Sequence, residues 1–128
     1  MQINPKEIIE KGILVPCAFT EVQQVGIDLT LSVGVEIKHG ESVNVSFNET
    51  IKLPIDVFST FYQRSSFSRK GVFMTTGVYD PGYEGSIGCT IYNMSGEDLS
   101  IPPDHRVGQM LFWKAEAAGE YKGQWQGK

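Results

Sequence analysis

Residues 27–37 read Ile27-Asp28-Leu29-Thr30-Leu31-Ser32-Val33-Gly34-Val35-Glu36-Ile37, with every odd position apolar and every even one polar or glycine. In an extended strand successive side chains point to opposite faces, so this period of two buries one side and wets the other. A helix, with about 3.6 residues per turn, cannot collect these positions on one face. The stretch therefore predicts a single half-buried strand. Shorter runs of the same kind occur at 43–47, 50–53, 57–62, 72–75, 87–92, 98–101 and 107–113, separated by Gly, Pro, Asn and Asp. Many short strands punctuated this way imply an all-β sandwich or barrel. One helix is expected at 5–11, with Asn4 as its cap, Pro5 in the first position, Glu7 reaching back to the cap and Gly12 as the stop.

A chain of 128 residues predicts one domain, 1–128. Its 41% hydrophobic and 20% charged residues argue against disorder or a disulfide scaffold. A net charge of −4 argues against broad binding of a nucleic-acid backbone, which needs a basic face, and leaves room for a single basic pocket. No stretch approaches the ~20 apolar residues of a membrane span, and the N-terminal residues lack a signal-peptide core. The expectations are a cytoplasmic protein without nucleic-acid or membrane partners. Cys17 and Cys89 have no CxxC spacing and read as free thiols rather than as a metal or redox motif. The triplets at Asn44, Asn48 and Asn93 fit the glycosylation pattern, but without a secretory signal they carry no weight.

The segment densest in reactive groups is Gly77-Val78-Tyr79-Asp80-Pro81-Gly82-Tyr83-Glu84-Gly85, a carboxylate and aromatics on a Gly/Pro-rich turn. Upstream, Gln63-Arg64-Ser65-Ser66 joins a guanidinium to two hydroxyls, a set suited to phosphate. Each alone is also an ordinary surface turn. Taken with Gly26-Ile27-Asp28-Leu29 before them and Arg106-Val107-Gly108-Gln109-Met110-Leu111-Phe112 after them, they stand in the order and approximate spacing of the dUTPase and dCTP deaminase superfamily, which this chain resembles from about Val22 to its end.

The resemblance implies a distorted jelly-roll subunit with one short N-terminal helix, assembled as a homotrimer with active sites at subunit boundaries. It implies that Asp80 orients or deprotonates the attacking water and that Tyr83 packs on the deoxyribose, where a 2′-hydroxyl would clash. Both roles suit the residue types, since a carboxylate accepts a hydrogen bond from water. A triphosphate brings several negative charges to be offset, and Arg64, Ser65, Ser66 and Gln109 are the matching candidates. Arg106 reads equally well as a structural ion-pair former. Magnesium is the expected cofactor, carried largely by the phosphates, with Asp28 touching it through water. The alternative for Asp28 is a solvent-facing strand residue.

Two branches of the superfamily remain to be separated. The deaminases carry a catalytic glutamate on the strand matching Ile87 to Asn93, and alignment from both sides puts Thr90 there. Threonine cannot relay protons as a carboxylate does, and Glu84 and Glu97 fall out of register. The pair Gly77-Val78 resembles the dUTPase turn, in which main-chain groups read the uracil edge, rather than the His-Arg of one deaminase branch. Main-chain groups paired with one base edge reject another by leaving buried polar atoms unmatched. The leading expectation is therefore a dUTP diphosphatase, releasing dUMP and pyrophosphate from dUTP.

Three features lean toward the deaminase branch: the opening helix, the doubled serine of Arg64-Ser65-Ser66, and the end Tyr121-Lys122-Gly123-Gln124-Trp125-Gln126-Gly127. Residues 117–128 are expected to be a mobile tail that closes the site. The arginine and phenylalanine of the usual glycine-rich dUTPase arm are absent there, so Trp125 is assigned the stacking surface and Lys122 the phosphate contact. His39 and His105 read as surface residues, and Phe58, Phe61, Phe67, Phe73, Phe112 and Trp113 as core or trimer packing. The competing readings are an enzyme acting on dCTP, by deamination or pyrophosphate release, and a non-catalytic trimer that binds nucleotides or a regulatory protein.

Overall fold

The computed structural model describes residues 1–116 and 121–128. In chain order the elements are α1 (Pro5–Glu10), β1 (Leu14–Val15), β2 (Ile27–Thr30), β3 (Val35–Ile37), β4 (Ser42–Lys52), β5 (Val57–Gln63), α2 (Ser65–Lys70), β6 (Val72–Met74), β7 (Val78–Tyr79), β8 (Glu84–Asn93), β9 (Leu99–Ile101) and β10 (Arg106–Lys114). Two four-stranded sheets, ordered β1-β4-β8-β6 and β2-β10-β5-β7, and the small pair β3-β9 are antiparallel throughout. Phe47 of one large sheet lies 5.2 Å, centroid to centroid, from Phe61 of the other. Around that contact Leu29, Ile51, Ile87, Ile91, Met110 and Phe112 are buried, closing the expected jelly-roll core.

The stretch 27–37 is not one strand. β2 ends at Thr30 and β3 begins at Val35, because the chain changes sheets between them: β2 pairs with β10, whereas β3 pairs with β9. At the crossing Leu31 bonds His105 and Asp104 through its main chain, while Val33 is 70% exposed. The even positions of β2 are also buried, so the half-wetted strand read from the alternation is corrected at Asp28 and Thr30. Both polar side chains are satisfied inside the protein, which is the condition for burying them. Asp28 accepts from Gln23 and Arg106, and Thr30 donates to Glu49.

The runs at 43–47 and 50–53 belong to one strand, β4, whose pairing with β8 slips between Ser46 and Thr50. In α1 the Asn4 side chain accepts from the Lys6 amide at 2.9 Å, as its capping role requires. Glu7 does not reach back; it pairs with Lys11 at 2.7 Å across one turn. Ser65-Ser66, for which an ordinary surface turn is the alternative to a phosphate site, begin α2. No helix among the described residues is long and apolar enough to cross a membrane.

Candidate functional site

One site begins where the ladder between β6 and β8 comes apart. Met74 pairs with Ile91, and the Thr75 amide still donates to the Thr90 carbonyl at 3.0 Å, with Thr90 N–H returning to Thr75 Oγ1 at 2.9 Å. Beyond Thr75 the chain leaves this sheet, and Val78 and Tyr79 pair instead with Thr60 and Ser59 of the other. A wedge opens between the two sheets. Its turn is fixed from below: Gly82 N–H donates to Leu53, Leu53 N–H to Tyr83, and Tyr83 N–H to Asp80.

The resulting cavity, about 510 Å³, is lined by Asn44, Thr75, Val78, Tyr79, Asp80, Tyr83, Gly88, Cys89, Thr90, Tyr121 and Trp125, among others. Asp80 is exposed and is the only carboxylate among the described lining residues. Tyr83 is buried, its ring 5.6 Å from Tyr79 and edge-on to Tyr121 at 5.2 Å, and its hydroxyl donates to Ser86 at 2.6 Å. Burial raises the pKa of both Tyr79 and Tyr83 above the usual phenol value. Cys89 is pushed up to about 12 by burial, so its thiol stays protonated and is no nucleophile. On the far wall Thr90 Oγ1 donates to Asn44 Oδ1 at 2.6 Å.

The second site is a cleft of about 250 Å³ formed by Gln23, Gln24, Val25 and Asp28 with Tyr62, Arg64, Arg106, Gly108 and Gln109. Gly108 is needed where β10 meets β5, because a Cβ there would stand 2.5 Å from the Tyr62 carbonyl oxygen. Asp28 Oδ2 accepts from Gln23 at 2.7 Å and Arg106 at 3.0 Å. Arg64 Nη1 donates to the Arg106 carbonyl at 3.3 Å, which draws the second guanidinium to the same wall. Gln109 Oε1 is buried without a donor among the described residues. Arg106 is paired with Asp28 and, at 3.6 Å, with Glu21, so the Arg64 guanidinium, without a carboxylate partner among the described residues, is the group there that attracts an anion.

The structure brings together Val78, Asp80, Tyr83 and Trp125 in the first cavity, and Asp28, Arg64 and Gln109 in the second. Ser65 and Ser66 are exposed in the first turn of α2 beside the cleft but do not line it, and Gly77 does not line the first cavity. Lys122 is exposed and lines neither. Part of the expected tail, 117–120, lies outside the described residues, whereas Tyr121 and Gln126 bond the Pro81–Glu84 turn. Sequence reasoning missed Tyr79, Asn44, Tyr121 and Gln23. The adjacent aromatics of the 77–85 run were a signal for Tyr79; Asn44 had none, being one polar residue of an alternating strand.

No group of three His, Cys, Asp or Glu is gathered among the described residues. Asp28 suits a contact through water, since Oδ1 has no hydrogen-bond partner among the described residues.

The family described as dCTP deaminase-like matches residues 33–115. The chain is 33% identical to the dCTP deaminase of Thermococcus kodakarensis over 103 residues, covering 79% of this chain and 66% of that protein. It spans about half to two-thirds of the length of the curated deaminases it matches. In fold it resembles the EIAV dUTPase, with a TM-score of 0.70, 16% identity, and coverage of 87% of this chain and 96% of that one. It also resembles the 2′-deoxycytidine 5′-triphosphate deaminase of Agrobacterium tumefaciens, with a TM-score of 0.72, 16% identity, and coverage of 84% and 46%.

Proposed function

The chain belongs to the dCTP deaminase-like family, and from that premise we propose that it is a deoxynucleoside triphosphate pyrophosphatase acting on dUTP. The observation that carries this reading is the far wall of the first cavity. Thr90 and Asn44 stand there, bonded to each other, and Asp80, the one carboxylate among the described lining residues, sits on the turn at the cavity's edge. Deamination needs an acid–base group facing the ring carbon that loses its amine. A lone carboxylate on the turn suits activation of water for attack on phosphorus instead.

In this reading the pyrimidine enters the wedge by Val78 and Gly88, and the deoxyribose rests on Tyr83. Asp80 accepts a proton from the water whose oxygen bonds the α-phosphorus. The bond from that phosphorus to the bridging oxygen breaks, giving dUMP and pyrophosphate. Arg64 and Gln109, with Ser65 and Ser66 close by, hold the phosphates. A magnesium ion bound by the phosphates would offset their charge, and Asp28 would hold it through water. Trp125 covers the base, and Lys122 is the further phosphate contact proposed for the tail.

The two cavities share no lining residue. With the sites separate on one subunit, we propose the homotrimer that the family resemblance implies, in which the wedge of one subunit faces the cleft of a neighbour. A specific observation favours a second reading: curated relatives are named dCTP deaminase, and one from Persephonella marina, 36% identical, is named dCTP deaminase, dUMP-forming. The test supplies each deoxynucleoside triphosphate with magnesium and follows pyrophosphate and ammonia. Pyrophosphate from dUTP alone supports the proposal. Ammonia from dCTP overturns it in favour of the second reading.

A further inference from the structure

Tyr79 occupies a place in the wedge that belongs to a main chain. Continuing the register from Met74–Ile91 through Thr75–Thr90 would set Gly77 opposite Gly88. The chain has already turned away by then, and among the described residues neither Thr76 nor Gly77 has a main-chain hydrogen-bond partner. The Tyr79 hydroxyl stands in their place. It donates to the Gly88 carbonyl at 3.0 Å and accepts from the Gly88 N–H at 3.2 Å. Gly88 cannot carry a side chain to fill the gap, because a Cβ would lie 2.5 Å from the Val45 carbonyl oxygen on the neighbouring strand.

A donor and an acceptor side by side on Gly88, at the wall of a cavity, match the edge of a pyrimidine, which also presents a donor beside an acceptor. The phenol answers both with one atom. We propose that Tyr79 is a specificity-determining residue whose hydroxyl holds the Gly88 N–H and C=O in the free protein and is displaced by the pyrimidine edge. This rests on the reading that a nucleobase enters the first cavity. Gly88 is exposed in the free protein, so the cost arises when a ligand fills the cavity and shuts out water: only one that replaces both hydrogen bonds then leaves no Gly88 group unpaired. A ligand carrying a sugar and phosphates but no such edge leaves the tyrosine in place.

The test replaces Tyr79→Phe in the full chain and measures kcat and KM for dUTP with magnesium, together with calorimetric binding of a non-hydrolysable dUTP analogue and of inorganic triphosphate, which has no such edge and whose Kd should not change. Removing the competitor is expected to lower KM and the analogue Kd about fivefold, the effect of one modest hydrogen bond, with kcat within about twofold of the parent. A KM that rises or stays the same while the parent hydrolyses dUTP overturns the role of Tyr79 and leaves the pyrophosphatase reading intact. A parent that neither binds nor hydrolyses any deoxynucleoside triphosphate overturns both. Should Tyr79→Phe fail to fold, Tyr79→Leu is read by the same comparison.

Discussion

Arg106 Nη1 lies 3.0 Å from Asp28 Oδ2, across the pairing of β10 with β2 and 78 positions away in sequence. The Asp28 side chain is only 6% exposed, against 37% for Arg106. The pair draws the first and last of the four short motifs onto one wall and leaves Arg64 as the cleft guanidinium without a carboxylate among the described residues. Arg106, read from the sequence as either a ligand group or an ion-pair former, makes the ion pair.

Replacing Asp28→Ala is expected to cost about 1–3 kcal/mol in urea unfolding, because a buried acceptor is lost while a half-exposed arginine is still hydrated. Asp28→Asn keeps the shape and a hydrogen bond and should cost less. Equal losses for the two variants would mean that the contact is wholly ionic and that the hydrogen bond kept by asparagine contributes nothing.

Asp80→Asn is expected to lower kcat for dUTP by about 10²–10⁴-fold while the Kd of a non-hydrolysable analogue changes little. The amide keeps its volume but cannot take the proton of an attacking water. Turnover near that of the parent removes Asp80 from the proposed role.

Glu49 is fully buried, and among the described residues it has no cationic partner. Its oxygens instead accept from Thr30 N–H and Oγ1, both at 2.8 Å, and from Thr20 Oγ1. Those bonds pin the segment before β2 that carries Glu21 and Gln23. Glu49→Ala should destabilise the fold by about 3 kcal/mol or more, since several buried donors are orphaned together. Glu49→Gln should cost about half as much, because hydroxyls can turn to accept from the new amide. Denaturant titration of both variants checks the ranking.

His105 is held below its ordinary pKa by burial first, and then by Arg64, Arg106 and Lys70. The unfolded chain therefore binds its proton more readily than the folded one. Stability is expected to decline as pH falls through the ordinary value of 6.5 and to stop declining on this account once the folded imidazole is also protonated. In His105→Gln that part of the slope should vanish from a melting-temperature profile across mildly acidic pH. An unchanged profile would assign the slope to other groups.

Ending the chain after Gly119 removes Tyr121 from the Tyr83 ring and Trp125 from the cavity wall. The truncated protein should keep its fold and assembly but lose about tenfold or more in kcat/KM for dUTP, the scale expected when a covering segment is lost. Sedimentation with steady-state kinetics separates the two effects. Kinetics equal to the parent's would leave the tail without a part in the reaction.

Residues whose place follows from local pattern and residues whose place follows from long-range pairing differ in how far the sequence could place them. The odd positions 27–37, the Asn4 cap and the order of the four motifs exposed β structure, the first helix and the family, because local periodicity, capping chemistry and motif spacing are written along the chain. The sites built from those motifs were partly legible: Asp80, Tyr83 and Gln109 stand in cavity walls. Other features were not. The break between β2 and β3 depends on which sheet each half joins, the burial of Asp28 and Thr30 on partners 78 and 19 residues away, and the place of Tyr79 on a ladder that separates after Thr75. Those are long-range pairings, in which the register of one strand is decided by another far off in sequence. Sequence by itself determined which groups are available for chemistry; the tertiary structure decided which are buried, which are bonded to one another, and which face a cavity.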